Sequence, residues 1–392
     1  MAAGDTGGKA KPGHDKPGHG KPPLFIGSEI YRTSSYGARH PLAIPRVSTV
    51  MDLSRALGWL DDQVYLDSPR ASPDELARFH APAYVAAVMA AEARQRVGPD
   101  ERRRYNLGCN GNPVFPEMFR RPATACGGSL LGAQLIARGG TVYNPAGGTH
   151  HGRPAQANGF CYFNDPVLAI LALLDGGLTR VLYLDVDAHH GDGVQDAFAG
   201  DPRVLTISLH EAGRWPLRRD HRAGTVEDRA GGQARNLPVH AGFNDSELDH
   251  LLEHAILPLS RAFAPEAVVL QGGADGLADD PMSRLELSNQ ALWRVVAAAK
   301  DLAPRLLVLG GGGYNPWSVA RCWTGVWATL NGIEVPTHLP EEAEAILRAL
   351  TWRHRLGRKP PEAWFTTLAD PPRPGPVRTE VRVLAAAVMA TE

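Results

Sequence analysis

The stretch Leu182-Tyr-Leu-Asp185-Val-Asp187-Ala-His189-His190-Gly-Asp192-Gly193 decides how this 392-residue chain is read. It opens inside an apolar run, Val181 to Leu184, of the kind that forms a strand buried on both faces. Three carboxylates and two imidazoles follow between Asp185 and Asp192, and glycines force a turn. An unpaired buried carboxylate costs several kcal/mol or shifts its pKa until it is neutral, so charge packed this densely calls for a cation. Asp187 and His189 are two residues apart and in extended geometry would point to the same side. A carboxylate and an imidazole converging at a strand end are two of the three protein ligands of a catalytic zinc site.

Working outward, helical and strand patterns alternate. Strands are expected at 24–26, 141–143, 180–187, 203–209, 267–271 and 305–310. Helices are expected near 48–60, 82–96, 123–138, 164–175, 246–263, 284–301 and 317–331. This alternation, with strands that read as uninterrupted apolar runs, predicts one doubly wound α/β domain over 23–335 with a mostly parallel sheet flanked by helices. Residues 1–22 repeat Lys-Pro-Gly-His (Lys11–His14, Lys16–His19) and read as a disordered tail. His14 and His19 there read as solvated. From 336 to 392 proline and arginine accumulate, predicting a helix near 341–353 and then a packed or trailing extension.

Composition narrows the class. Charged residues make up 21% and hydrophobic residues 43%, as in an ordinary soluble enzyme, and a net charge of −1 gives no case for nucleic acid or anionic membrane as partner. Cys109, Cys126, Cys161 and Cys322 are widely spaced with no C-x-x-C pair, so they read as reduced thiols. The beginning of the chain has no apolar signal-like region and no stretch reaches membrane-spanning length. A cytoplasmic location is the expectation.

In open α/β sheets functional residues gather at the carboxyl ends of strands. Besides the opening stretch, three strand ends carry unusual residues: Gly147-Gly-Thr-His150-His151-Gly152, Gly272-Gly-Ala-Asp275-Gly276 and Gly310-Gly-Gly-Gly313-Tyr314. Asp275 supplies a third ligand beside Asp187 and His189, leaving positions open for water and a substrate carbonyl. His150 and His151 can move protons there, oriented by Asp185 and Asp192. Tyr314 can donate to a developing oxyanion, with the glycines letting the backbone pass close to a metal. His190 has no evident task beyond supporting the turn.

In these motifs and their order the chain resembles the zinc-dependent histone deacetylases, and within them the bacterial acetoin-utilisation-type branch. The matching segments are His40-Pro41, Pro113-Val-Phe115, Gly147 to His151, Gly159-Phe-Cys-Tyr-Phe-Asn-Asp165, Asp185 to Gly193, Gly273-Ala-Asp275 and Gly310 to Tyr314. The resemblance implies an arginase-like three-layer fold and hydrolysis of the N-acetyl amide of acetyl-lysine in proteins. It places one zinc on Asp187, His189 and Asp275, makes His150 and His151 the catalytic pair with Asp185 and Asp192 behind them, and has Tyr314 polarise the acetyl carbonyl. Gly159, Phe160, Trp215 and Met282 fall where the family lines its acyl-lysine tunnel. It also implies potassium, at Asp185, Asp187, His189, Ser208 and Leu209, with a second site at Phe198, Asp201 and Val204.

One departure stands out. Most relatives carry a rim aspartate just before the Pro-Val-Phe segment to grip a peptide backbone. Here the segment reads Gly108-Cys-Asn110-Gly111-Asn112-Pro113, and Gly111 occupies the nearest position. Asn110 and Asn112 remain as neutral hydrogen-bond partners, and a neutral bond is worth about 1 kcal/mol against about 1.5–3 for a charge-assisted one. A small acetylated amine, such as an acetylpolyamine, is the alternative substrate, which an acidic tunnel mouth would favour. An arginase-like two-manganese site lacks its carboxylates, since Gly191 and Leu277 stand where that family places them. An inactive acyl-lysine-binding scaffold would be expected to lose Tyr314 or a zinc ligand.

Overall fold

The computed structural model describes residues 21–217 and 223–390. The expected disordered tail at 1–22, with His14 and His19, lies outside these residues except for Lys21 and Pro22. Eight strands form one sheet: β1 Leu24–Gly27, β2 Tyr65–Asp67, β3 Gly140–Asn144, β4 Val181–Asp185, β5 Val204–Glu211, β6 Ala234–Val239, β7 Ala267–Gln271 and β8 Arg305–Leu309. Their order is β2-β1-β3-β8-β7-β4-β5-β6, and every pairing is parallel.

Alternating side chains fill two cores. Val181 and Tyr183 of β4 face one side with Val269 of β7 and Leu307 of β8, while Leu182 and Leu184 face the other with Val268 and Leu306. Helices Arg120–Leu135, Asp165–Asp175 and Asp192–Ala197 cover the first face. Helices Val47–Ala56, Asn289–Ala299, Pro316–Asn331 and Thr379–Met389 cover the second. This is the expected three-layer α/β fold. A third aromatic cluster, including Tyr36, Phe115, Tyr162, Phe163 and Tyr314, packs beyond the strand ends.

Several boundaries differ from the sequence expectation, each with a physical reason. The strand expected at 180–187 ends at Asp185, because Asp187 to His189 bend away from the sheet. Residues 284–287 are not helical; the helix begins at Asn289 behind Ser288, whose amide and hydroxyl are bound to Asp245. The segment 246–263 is helical but contains a π turn at Leu252–Ile256. The two edge strands were not expected at all: β2 has only three residues, and β6 carries Pro238, which an edge tolerates. No helix among the described residues is long and apolar enough to cross a membrane, and the four cysteines are unpaired.

Candidate active site

The four motif-bearing strands are neighbours. β3, β8, β7 and β4 stand side by side, and their last residues align as a row, Asn144–Leu309–Gln271–Asp185, with Ser208 of β5 next to it. Each motif begins just past this row, so residues far apart in sequence meet above the sheet.

Asp187, His189 and Asp275 are all buried and offer one ligand atom each within 4.8 Å of the others. His189 Nδ1 stands 2.8 Å from Asp275 Oδ2 and 3.2 Å from Asp187 Oδ1. Convergence comes from the bend after β4, closed by the His189 amide donating to Asp187 Oδ1 at 2.9 Å, and not from the pleat of a strand. The opposite carboxylate oxygens are also held: the Gly312 amide donates to Asp187 Oδ2 at 2.6 Å and the Ala188 amide to Asp275 Oδ1 at 2.9 Å. Burial, and then the neighbouring Asp187 charge, raise the Asp275 carboxyl above its usual range. Two buried carboxylates and an imidazole nitrogen in this arrangement fit a divalent cation of the zinc type, which supplies the missing positive charge. A Cβ at Gly312 would overlap the Asp275 carboxylate, so that position requires glycine.

The histidine pair sits beside this group. His150 Nδ1 lies 2.7 Å from Asp185 Oδ2, and His151 Nδ1 lies 2.7 Å from Asp192 Oδ1. Their Nε2 atoms are 2.9 Å apart, so the protonation of one ring is felt directly by the other. Burial opposes charge on His150, but Asp185, Asp187 and Asp192 prevail and raise it to about 9. Burial and the His150 charge push His151 down to about 4, against the pull of Asp192. Burial works against the Asp192 charge as well, yet His151 and Arg153 hold it at about 2. Two similar rings are thereby driven apart, one toward the acid and one toward the base.

Tyr314 completes the floor. Burial, then the charges of Asp275 and Asp187, push its hydroxyl well above the usual range, so it stays protonated and can donate. Its backbone amide donates to Asp280 Oδ2 at 2.6 Å. Above it opens a cavity of about 640 Å³ lined by Gly159, Phe160, Trp215 and Met282, with His151, His189 and Tyr314 at its base. The Trp215 ring lies 4.7 Å from the His151 ring. Phe160 is held at φ 68°, a conformation a non-glycine residue seldom adopts, with its amide donating to Asn112 Oδ1 at 3.0 Å.

At the rim, Gly111 has φ 81° and a Cβ there would overlap the Phe160 ring, so the local backbone refuses any side chain. Asn112 is fully buried and committed to Phe160 and Asn106, leaving exposed Asn110 as the neutral partner facing the cavity.

The remaining expected residues are less concentrated. Asp185 and Ser208 are register neighbours on β4 and β5, and Ser208 Oγ already bonds His210 Nδ1 at 3.0 Å. Phe198, Asp201 and Val204 lie together where the chain enters β5, with the Asp201 carboxylate bound to Arg203. His190 is buried against the His210 ring, its Nε2 3.1 Å from Gln195 Oε1.

Sequence reasoning missed several residues that build the site. Asp165, inside a quoted motif but given no task, accepts from the Gly148 and Thr149 amides and from the Ser129 and Thr149 hydroxyls, and so fixes the loop carrying the histidines. Arg153 grips the far oxygen of Asp192. Asp280 holds the Tyr314 backbone, and half-buried Arg46 donates to Gly311 O at 2.7 Å. Asp165 could have been suspected as an acid opening a helix directly after Asn164; the others have no local signal.

Comparison with known proteins agrees with this geometry. The histone deacetylase domain family matches residues 40–330. Histone deacetylase 9 of Arabidopsis thaliana is 37% identical over 310 residues, covering 78% of this chain and 72% of that protein. Acetoin utilization protein AcuC of Bacillus subtilis (strain 168) is 32% identical over 331 residues, covering 81% and 84% respectively. The crystal structure of an HDAC homolog from Aquifex aeolicus superposes with a TM-score of 0.89 at 35% identity, covering 94% of this chain and all of that one (100%). The motifs, the sheet that aligns them and these likenesses together show that the chain belongs to the histone deacetylase family, in its bacterial branch, and is an amide-hydrolysing deacetylase.

Proposed function

We propose that the chain removes acetyl groups from lysine side chains, with one zinc ion held by Asp187, His189 and Asp275. The observation that carries this reading is the meeting of a three-ligand buried group, a split histidine pair and a protonated tyrosine, of which His189, His151 and Tyr314 line the 640 Å³ cavity. Zinc bound there supplies Lewis acidity toward the acetyl carbonyl and acidifies the attacking water.

The chain's own groups do the rest. His151, neutral and oriented by Asp192, accepts the water proton at Nε2. His151 then returns that proton to the departing lysine amine, while His150, charged and held by Asp185, stabilises the developing negative charge. The Tyr314 hydroxyl donates to the carbonyl oxygen as it gains charge. Phe160 and Trp215 exclude water from the lysine stem. We place potassium at Asp185, Asp187, His189, Ser208 and Leu209, and a second ion at Phe198, Asp201 and Val204, as charge support beneath the site.

A direct assay tests the reading: the zinc-loaded protein is offered acetyl-lysine peptides, longer acyl-lysine peptides and acetylpolyamines, with a hydroxamate as zinc-directed control. Hydroxamate-sensitive release of acetate from the peptides is expected. Turnover of acetylpolyamines alone sinks the protein-lysine reading, and two manganese ions per chain on metal analysis sink the single-zinc site.

A further inference from the structure

The floor of the cavity handles the acetyl amide; its mouth must meet whatever else the substrate carries. β5 ends in Glu211, buried at 2% exposure. Its carboxylate accepts from Arg214 Nε at 2.5 Å, from the Arg284 amide at 2.8 Å and from Arg284 Nε at 3.2 Å. One buried anion therefore fixes two guanidiniums at the rim, and among the described residues their Nη atoms have no hydrogen-bond partner. Both arginines line the 640 Å³ cavity, and the Arg284 side chain is 74% exposed.

The adjoining space of about 810 Å³ shares Met282 and Tyr314 with it and is lined by Arg39, Arg353, His40 and His354. Arg39 and Arg353 are exposed. No Asp or Glu among the described residues lines either space. The opposite wall is neutral, formed by Asn106, Asn110 and Gly111, and Gly111 cannot take on a carboxylate without displacing Phe160.

We propose that this mouth selects an acetyl-lysine bearing a neighbouring carboxylate, either an acidic residue beside it in a peptide or the α-carboxylate of free Nε-acetyl-lysine. The proposal rests on the deacetylase reading above. A lysine stem extended up from Tyr314 brings its own α-carbon to the rim, where Arg214 and Arg284 stand. Guanidinium is the cation best shaped for a carboxylate, and several like charges around a concave mouth raise the local concentration of anions and lower that of cations. Polycationic peptides and acetylpolyamines meet the same field with the opposite sign.

The test compares kcat/KM of the zinc-loaded full chain for matched acetyl-lysine peptides flanked by Glu, Gln or Lys, and for free Nε-acetyl-lysine against its α-carboxamide. The expected order is Glu, then Gln, then Lys, spanning on the order of 10-fold at about 0.01 M ionic strength and collapsing at about 1 M. Arg284→Glu is expected to erase or reverse the order, and Arg39→Glu, in the adjoining space and not bonded to Glu211, to weaken it. A preference confined to the peptides assigns the mouth to an acidic side chain, and one confined to the free acid assigns it to the α-carboxylate. Equal or better use of the Lys-flanked peptide at low salt, with acid and carboxamide alike, overturns the proposal. The Gln-flanked peptide and the α-carboxamide report the reaction itself: no hydroxamate-sensitive turnover of any acetyl-lysine substrate removes the acetyl-lysine reading and this proposal with it, whereas charge-blind turnover removes only the proposal.

Discussion

Single groups at this site do their work through protonation states that burial enforces. Tyr314 is the clearest, a hydroxyl kept protonated by burial and then by the charges of Asp275 and Asp187, on a residue that lines the cavity. Tyr314→Phe removes the donor but keeps the backbone bond to Asp280, and is expected to lower kcat by about 10²–10³-fold with zinc content unchanged. Wild-type turnover by this variant removes Tyr314 from the mechanism. His80, away from the ligand group, is the converse case. Its Nδ1 lies 3.0 Å from Arg153 O and its Nε2 accepts from the Asn164 amide at 3.0 Å, so only the neutral Nδ1–H tautomer satisfies both. Burial lowers it from 6.5 to about 4. The unfolded chain therefore binds more protons between those values, and the stability His80 contributes is complete above pH 6.5 and lost as pH falls toward 4. A fall from 6.5 to about 4 corresponds to about 3 kcal/mol. Urea unfolding at neutral and acidic pH should show the wild type losing about 2–3 kcal/mol more than His80→Gln. Parallel losses in the two proteins rule out His80 as the acid-sensitive group.

Between residue and fold, elements hold the site through their ends. Asp165 opens the helix Asp165–Asp175, and Asn164 caps it while its Nδ2 donates to His150 O and Gly152 O. Deleting the Asp165 carboxylate strands the Gly148 and Thr149 amides in a dry interior, at about 1–3 kcal/mol for each unmet group. Asp165→Ala is accordingly expected to cost about 3–5 kcal/mol in unfolding free energy and to lower activity by loosening the histidine loop. A loss under 1 kcal/mol in denaturant titrations would mean that water replaces the carboxylate. Elements also mark how far the sequence could be read. Strands buried on both faces leave an apolar run, unbroken in the bodies of β4, β7 and β8 and interrupted in β5 only by the small polar Thr206 and Ser208 before its polar end. The edge strands β2 and β6 did not, because an edge is paired on one side only and tolerates Asp67, Arg235, Asn236 and Pro238. The Asp187–His189 pairing was foreseen for the wrong reason: alternation along a strand suggested it, and a bend stabilised by side-chain-to-amide bonds produces it. Arg284–Leu287 continues the helical pattern on paper, yet these residues leave the helix so that Arg284 can reach Glu211 and Leu287 can bridge to Leu277.

At the scale of the molecule, local patterns located four motifs on four strands, but only long-range packing puts β8 and β7 between β3 and β4 and so closes the site. The residues after 335 show the same limit. Composition set them apart as a proline- and arginine-rich extension, yet Leu339, Ala343, Leu347, Trp364 and Leu368 form a buried cluster with Trp317 and Leu53. Val381, Ala385 and Val388 of the helix Thr379–Met389 pack into the main core. Arg321, 1% exposed, donates from Nε to Thr367 O at 2.6 Å and from Nη2 to Ala369 O at 3.2 Å, and Trp317 Nε1 donates to Leu347 O at 2.9 Å. Removing residues 336–392 exposes half a dozen large apolar side chains, each worth about 1.5–3 kcal/mol, and leaves a buried guanidinium without its carbonyl partners. The sum is on the order of 10 kcal/mol, the same size as the whole stability of a typical domain. A chain ending at residue 335 is therefore expected to be insoluble or to lack a cooperative unfolding transition, although every residue of the candidate active site is still present. Soluble yield, near-ultraviolet circular dichroism of the tryptophans and thermal melting decide this. A truncated protein that melts cooperatively within a few degrees of the full chain would show that the segment is an appendage to a core that folds without it.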